Sequence, residues 1–412
     1  MACAVRGGAP SGRALAHGLI LEGSILDAPG PSLALVAVAV LVLGAPAVAE
    51  DAWVQAEQAN VRLGPGTNTP IIGELERGAR LEVESTEPDV SGWTRLRPYG
   101  AVRTRLLAFE APEGGDPLAG PFRYVRTRAP STEVREAPDP GARVLEHHRR
   151  GQILAVRDEP TDAGAWLETP TGGFLPRGAV ELLEPSPFHG VADPPARLAF
   201  LLREATPRDA PAESPRPLPR YTALEVLEVG ARVLTTAGSL PRGAVRLAWT
   251  RPRPEGIGPA DRWIHVDTDE QTLTAYEGDR LVFATLVSTG RRDWETPAGT
   301  FRVWLKVRHA RMHGHRVRYD VEEVPDILWF SRDVALHAAV WHDRFGTPVS
   351  HGCVNVSIED GDWLFRWGPP EIPDGWHSLN PGAAGLPTLW VVVEGTTRAR
   401  SAVPAASVNT SR

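Results

Sequence analysis

Short alternations of apolar and polar residues dominate the chain. Runs such as Arg80-Leu81-Glu82-Val83 place every second side chain on one face, the spacing of a half-buried strand, and Gly/Pro turns close each run after a few residues. One stretch differs. Leu33 to Leu43 is a continuous uncharged run, LALVAVAVLVL, too short for a membrane-spanning helix, which needs about 20 residues. It ends at Ala47-Val48-Ala49, a small-x-small cleavage pattern, before the polar Glu50-Asp51. Residues 1–49 therefore read as a signal peptide, with an unusually long flank that contains Glu22 and Asp27. No cysteine follows the run, so neither a lipid anchor nor stable membrane insertion after cleavage is expected, and the mature chain is placed in the periplasm or cell wall.

Two segments repeat at a constant offset. Val61-Arg62 matches Val134-Arg135, Pro65 matches Pro138, Arg77-Gly78 matches Arg150-Gly151, Val83 matches Val156 and Trp93 matches Trp166, every pair 73 residues apart. A fixed offset held through several residue types marks an internal repeat. Leu240-Pro-Arg-Gly-Ala-Val245 echoes Leu175-Pro-Arg-Gly-Ala-Val180 and suggests a third, degenerate copy, with the Pro-rich Pro207 to Arg220 as a linker or long loop. The "VR-x-x-P" entry, the "G-x-x-L-x-V" run and the later Trp resemble the bacterial SH3-like module. On that resemblance 50–110, 123–185 and 196–250 are small β-barrels that target or space the protein against a wall, or pack on the domain that follows.

From Arg262 the texture changes. Trp263 to Val266 begins a strand, and Gln271 to Tyr276 with Arg280 to Ser288 read as a hairpin across Glu277-Gly278-Asp279. Phe301 to Val307 reads as a further strand and Leu389 to Val393 as a buried one. One helix is expected: Ser357 as N-cap, Asp360 three residues on, Trp363, Leu364 and Trp367 on one face, and Gly368-Pro369 as the stop. The fold class is therefore mainly β, and 395–412, lacking apolar periodicity, reads as a disordered tail.

Composition narrows the function. A net charge of −7 and a pI near 6.0 carry no basic footprint, so no nucleic-acid partner is expected. Lys306 is the only lysine in a chain whose other basic residues are arginine, which reads as codon bias. There are 2 cysteines, Cys3 and Cys353. Loss of the leader leaves Cys353 alone. Exported chains usually pair their cysteines or lack them, so a single thiol is a candidate reactive group.

That thiol lies in Ser350-His351-Gly352-Cys353-Val354-Asn355. A thiol with a reference pKa near 8.5 needs activation to act as a nucleophile, and His337, His342 and His351 are the nearby bases. His351, two residues away along an extended chain, can share the thiol's face. Gly352 frees backbone N–H groups for an oxyanion hole. These parts suit acyl transfer through a thioester. A buried structural thiol is the plain alternative. Zinc on His337, His342, His351 and Cys353 is the other, but the spacing is loose and no compact paired motif appears, so neither metal nor cofactor is expected. His313-Gly314-His315, with His309 nearby, reads as a solvated basic loop. Trp329, Trp363 and Trp367 read as core, while Trp341 and Tyr319 are candidates to line a substrate cleft.

The whole segment resembles L,D-transpeptidases of the YkuD type, whose signature is an upstream His followed by Ser/Thr-His-Gly-Cys-x-Asn. Ser288-Thr289-Gly290 and Thr296-Pro297-Ala298-Gly299-Thr300-Phe301 match its "STG…TPxGxF", and Trp341-His342-Asp343 with Phe345-Gly346 match its active-site loop. The resemblance covers 262–394. Ala338 departs from it, since many members carry Gly there. It implies a peptidoglycan cross-linking enzyme of cell-wall biogenesis and cell shape. Cys353 would attack the third residue of a tetrapeptide stem, D-Ala would leave, and an acceptor amine would resolve the thioester. His337 would be base or ion-pair partner, oriented by a carbonyl such as that of Ala338. The N–H groups of Gly352 and Cys353 would hold the oxyanion, His351 and Ser350 would shape the site, Asn355 would brace the loop, and Trp341, His342 and Tyr319 would touch substrate. Carbapenems would acylate Cys353. Two rivals share the scaffold: an L,D-carboxypeptidase, in which water resolves the thioester, and a non-catalytic wall-binding protein. A papain-like endopeptidase fits poorly, because its Cys precedes its His.

Overall fold

In the computed structural model, the two repeats reproduce one another element by element. The described residues are 50–87, 91–111, 122–157, 164–210, 216–313 and 320–395. The expected leader, Tyr319 and all but the first residue of the expected tail lie outside them. Strands begin at Gln58 and Ser131, at Ile71 and Val144, at Arg80 and Ile153, at Trp93 and Trp166, and at Leu107 and Val180. Each pair keeps the 73-residue offset. A short 3₁₀ turn precedes the last strand in both copies, Thr104–Leu106 and Arg177–Ala179. The same turn, Arg242–Ala244, recurs in a separate five-stranded sheet built from 197–249. No helix among the described residues is long and apolar enough to cross a membrane.

The remainder of the chain folds as strands β1 Arg262–Asp267, β2 Thr272–Glu277, β3 Arg280–Leu286, β4 Gly299–Arg302, β5 Leu305–His313, β6 Asp320–Ser331, β7 Val334–Ala338 and β8 Val354–Val356. Helix α1 Ile358–Trp367, β9 Trp376–Leu379, the four-residue α2 Pro381–Ala384 and β10 Trp390–Glu394 follow. One sheet runs β3-β2-β1-β10-β4, edged by Val191–Ala192, with β1 and β10 parallel. The β2–β3 hairpin turns at Gly278-Asp279, with Glu277 facing Arg280. The expected single strand from Phe301 to Val307 is two strands. Val303 N–H donates to the Leu389 carbonyl and Trp304 N–H to that of Trp329. The chain thus leaves β10 after Arg302 and joins β6 from Leu305, crossing between sheets at Val303-Trp304.

The second sheet joins the repeats to this region. Its order passes from Ile153–Arg157 of the second repeat through β6, β5 and β9 to Ile71–Glu76 of the first. The repeats are thus continuations of one sheet rather than separate beads. Gly73 marks how close the junction is: a Cβ there would stand 2.4 Å from the Ser378 carbonyl oxygen and 2.8 Å from the Trp376 ring. Trp376 in turn is buried and meets Tyr99 edge to face at 5.6 Å. The main core runs without a break from Val61, Ile72 and Leu75 to Leu328, Leu336, Val354 and Leu364.

Helix α1 begins as its sequence implies, with Ser357 Oγ accepting from Asp360 N–H. Trp363 stacks on Phe283 at 4.3 Å and on Trp367 at 5.1 Å. Its end depends on Lys306. The last carbonyls of a helix lack intrahelical donors, and the fully buried Lys306 ammonium donates to the carbonyls of Phe365, Gly368 and Pro370 at 2.7, 2.7 and 2.6 Å. Its three protons therefore meet three acceptors. Codon bias accounts for the scarcity of lysine in this chain but not for this position. Replacing Lys306 by Met should leave those carbonyls unpaired and cost roughly 2–4 kcal/mol, read as a lower urea midpoint. An unchanged midpoint would mean that water satisfies them instead.

Candidate active site

The site is assembled on two parallel strands and the crossover between them. β7 and β8 pair in register Leu336 to Val354, His337 to Asn355 and Ala338 to Val356. The crossover carries Trp341, His342 and the Ser350–Cys353 loop. A third segment braces the loop: Ser288 exchanges both backbone hydrogen bonds with Asn355 at 2.9 Å, and Ser350 N–H donates to the Thr289 carbonyl at 3.1 Å. Thr296 Oγ1 donates to the Gly352 carbonyl at 2.7 Å and accepts from Gly290 N–H at 2.9 Å. Gly352 holds φ at +127°, a region that L side chains rarely adopt.

Within the loop, Ser350 Oγ donates to the Cys353 carbonyl at 2.5 Å and accepts from Gly352 N–H at 3.0 Å. Gly352 N–H is already engaged, so it is not a free oxyanion donor in this state; Cys353 N–H is the remaining donor of the pair.

Cys353 as a residue is half-buried, and burial of its thiol pushes it up to about 11. Desolvation is the main cause and the Asp333 carboxylate adds to it, while the Ala335 backbone N–H acts the other way. Among the described residues no hydrogen bond joins the sulfur to an imidazole. His337 is 3% exposed and burial holds its imidazole down to about 4. Its Nδ1 lies 2.9 Å from the Ala338 carbonyl oxygen. That contact assigns the proton to Nδ1 and leaves Nε2 as an acceptor, which takes a long hydrogen bond from Asn355 Nδ2 at 3.5 Å. Cys353 and His337 are thus both neutral near pH 7. Ala338 is accommodated from across α1, because a Cβ on Gly361 would come within 2.7 Å of the Ala338 methyl.

His351 contacts Arg291 and Trp294. Its Nε2 is 2.7 Å from Arg291 Nη2 and its ring meets Trp294 edge to face at 5.2 Å. His342 Nδ1 accepts from Arg344 N–H at 3.3 Å, so its proton sits on Nε2, which is buried without a partner. Asn355 Oδ1 is likewise buried and unpartnered. The Trp341 ring lies tilted at 5.7 Å from that of His337.

Sequence reasoning missed the residues that hold the crossover. Arg126 of the second repeat donates to the Trp341 carbonyl at 3.1 Å. Asp343 accepts from Ser186 Oγ at 2.5 Å, from Tyr221 OH at 2.9 Å and from Arg220 Nη1 at 2.9 Å, and Arg246 Nε donates to the Gly346 carbonyl at 2.9 Å. These partners lie 100 to 215 residues upstream, and no local pattern could have linked them.

Residues 261–393 match the L,D-transpeptidase catalytic domain family of the YkuD type. Among curated proteins, a putative L,D-transpeptidase YciB of Bacillus subtilis is 24% identical over 144 residues, spanning 29% of this chain and 68% of that protein. Probable L,D-transpeptidase 3 of Mycobacterium tuberculosis is 32% identical over 90 residues, 19% of this chain and 33% of that protein. Among solved structures, an L,D-transpeptidase of Stackebrandtia nassauensis shares 22% identity over 35% of this chain and 60% of its own, with a TM-score of 0.25. L,D-transpeptidase 3 of Mycobacterium tuberculosis, in complex with a faropenem-derived adduct, shares 20% identity over 44% of this chain and 72% of its own, with a TM-score of 0.27.

The charge states give a direct test. A thiol raised to about 11 stays protonated below its folded pKa, so its alkylation by iodoacetamide should climb through pH 9 toward 11. A plateau of full reactivity near pH 7 would instead reveal a preformed thiolate and overturn the neutral pair.

Proposed function

We propose that this chain, whose residues 261–393 are an L,D-transpeptidase catalytic domain, is an exported enzyme that cross-links peptidoglycan stems through an acyl-enzyme on Cys353. The observation that carries this is the pairing of β7 with β8, which sets His337 on one strand and the Cys353 loop at the head of the other, inside the family-matched segment. Cys353 Sγ attacks the carbonyl carbon of the third stem residue. The C–N bond to D-Ala breaks and a thioester forms. Because thiol and imidazole both rest neutral, the thiol proton passes toward His337 Nε2 as the C–S bond forms, and then to the departing amine.

The oxyanion is held by Cys353 N–H. The unpartnered His342 Nε2–H and Asn355 Oδ1 supply a donor and an acceptor for the stem backbone. Trp341 covers the site from the His337 side. An acceptor amine then displaces sulfur, and the bond energy stored in the thioester removes any need for a nucleotide. The faropenem-derived adduct on the Mycobacterium enzyme supports β-lactams as acylating inhibitors here as well. The upstream copies, read as SH3-like units, hold the active-site crossover as well as meeting the wall. The contacts of Arg126, Arg220, Tyr221 and Arg246 support that second role.

Intact-protein mass spectrometry with a disaccharide-tetrapeptide, and in parallel with a carbapenem, tests the reading. An adduct on Cys353 with D-Ala release and a dimer product is expected, and Cys353→Ala should abolish all three. Tripeptide without dimer would move the assignment to a carboxypeptidase. His337→Ala should slow acylation by about 10²–10³-fold and His342→Ala by about 10-fold, since loss of a general base costs more than loss of one substrate contact. Equal, mild effects would remove His337 as the base. With the imidazole at about 4, carbapenem acylation should be insensitive to His337 protonation from pH 5.5 to 8 and fall only as the pH nears the folded value. A fall centred near 6.5 would contradict the buried, neutral base.

A further inference from the structure

Away from the active site, four consecutive strands of the second sheet each contribute one polar side chain to a single cluster. These are Glu323 on β6, His309 on β5, His377 on β9 and Glu76 at the end of Ile71–Glu76. We propose that Glu76, His309 and His377 form a divalent-metal site of the zinc class, with Glu323 orienting His309, and that the bound ion pins the first repeat to the β5–β6 hairpin.

The geometry is that of a ligand set. One ligand atom from each of Glu76, His309 and His377 lies within 4.8 Å of the others. The Glu76 carboxylate is 3.0 Å from His377 Nδ1 and 3.6 Å from His309 Nε2. Tetrahedral zinc with bonds of about 2.0–2.1 Å sets its ligand atoms roughly 3.3–3.5 Å apart. The two distances, to different oxygens of Glu76, bracket that spacing, and all three ligand atoms lie within 4.8 Å of one another.

The surroundings fit the same reading. His309 Nδ1 is hydrogen-bonded to the Glu323 carboxylate, which fixes the tautomer and turns the Nε2 lone pair toward Glu76. A carboxylate–histidine–metal arrangement has this form. His377 Nδ1 is buried yet makes no hydrogen bond of acceptable geometry, although a carboxylate oxygen stands 3.0 Å away. That atom is placed to bind an ion rather than to share a proton. Two carboxylates and two neutral imidazoles balance one divalent cation. The adjacent Arg308 is already tied to the carbonyls of Trp376, Ile372 and Pro373. Three protein ligands leave a position for water, and side chains 13–23% exposed give the ion a path in. Nitrogen and carboxylate donors together favour zinc-class ions over calcium or magnesium. Positions 76, 309, 323 and 377 have no motif spacing, so only the strand order brings them together.

The test is a metal titration of the purified chain, stripped with EDTA and carrying Cys353→Ser so that the thiol takes no ion. One equivalent of Zn²⁺ is expected to bind and to raise the melting temperature with its concentration. Co²⁺ should give the visible absorption of a tetrahedral site without thiolate. His377→Ala and His309→Ala, each checked for native circular dichroism, should weaken binding at least about 100-fold, and Glu323→Gln about 10- to 100-fold. No binding by the parent chain overturns the proposal. So does equal binding by both histidine variants, or loss of the ion in His148→Ala alone, which would place it at the Glu146, His148 and Glu322 group instead.

Discussion

The parallel pairing of β7 with β8 is the constraint on which the site depends. Parallel neighbours cannot be joined by a tight turn and require a crossover. Here that crossover is 339–353, and it carries nearly every group with a chemical role. His337 closes one strand and Asn355 sits opposite it on the other. The crossover must therefore return to a fixed register, and Gly352, with its φ of +127°, takes the last sharp bend before the nucleophile.

A crossover is only as well placed as its supports. Two sets act on this one. From within the catalytic region, Ser288, Thr289 and Thr296 grip the Ser350–Cys353 loop through backbone and hydroxyl hydrogen bonds. From the upstream units, Arg126, Arg220, Tyr221 and Arg246 hold the Trp341–Gly346 arm. Arg126 stands on a strand that pairs with Ile153–Arg157 in the sheet running through β6, β5 and β9, whereas Arg220, Tyr221 and Arg246 belong to the separate 197–249 unit, whose Leu198 and Phe200 share a core cluster with Leu286 and Phe345. A contact network anchored in a shared sheet and core can position groups to the tolerance that catalysis demands.

The electrostatics follow from the same burial. Desolvation disfavours the charged form of any group, so it raises the Cys353 thiol and lowers the His337 imidazole together. Burial thus disfavours the charged form of both groups. Burial pushes Lys306 down too, to about 7, but its ammonium has three carbonyl acceptors within 2.6–2.7 Å and so ties the end of α1 to β5. One buried group is left neutral for chemistry and the other is paired for structure.

Local pattern determined a good deal. The strand character, the 73-residue repeat, the Ser357 cap with Asp360, the β2–β3 hairpin and the isolated thiol in its Ser-His-Gly-Cys-x-Asn setting all follow from residues close in sequence. They express backbone propensity, turn chemistry and short-range spacing. The break of the expected Phe301–Val307 strand was not legible, because it depends on Val303 and Trp304 finding partners at Leu389 and Trp329. The contacts of His351 with Arg291 and Trp294 depended on loop geometry. The grip of the upstream units on the crossover and the gathering of Glu76, His309, Glu323 and His377 were decided by tertiary structure alone. Each joins groups whose separation along the chain exceeds any local pattern. Pairing of that kind is set by strand order and packing, which a linear pattern does not contain.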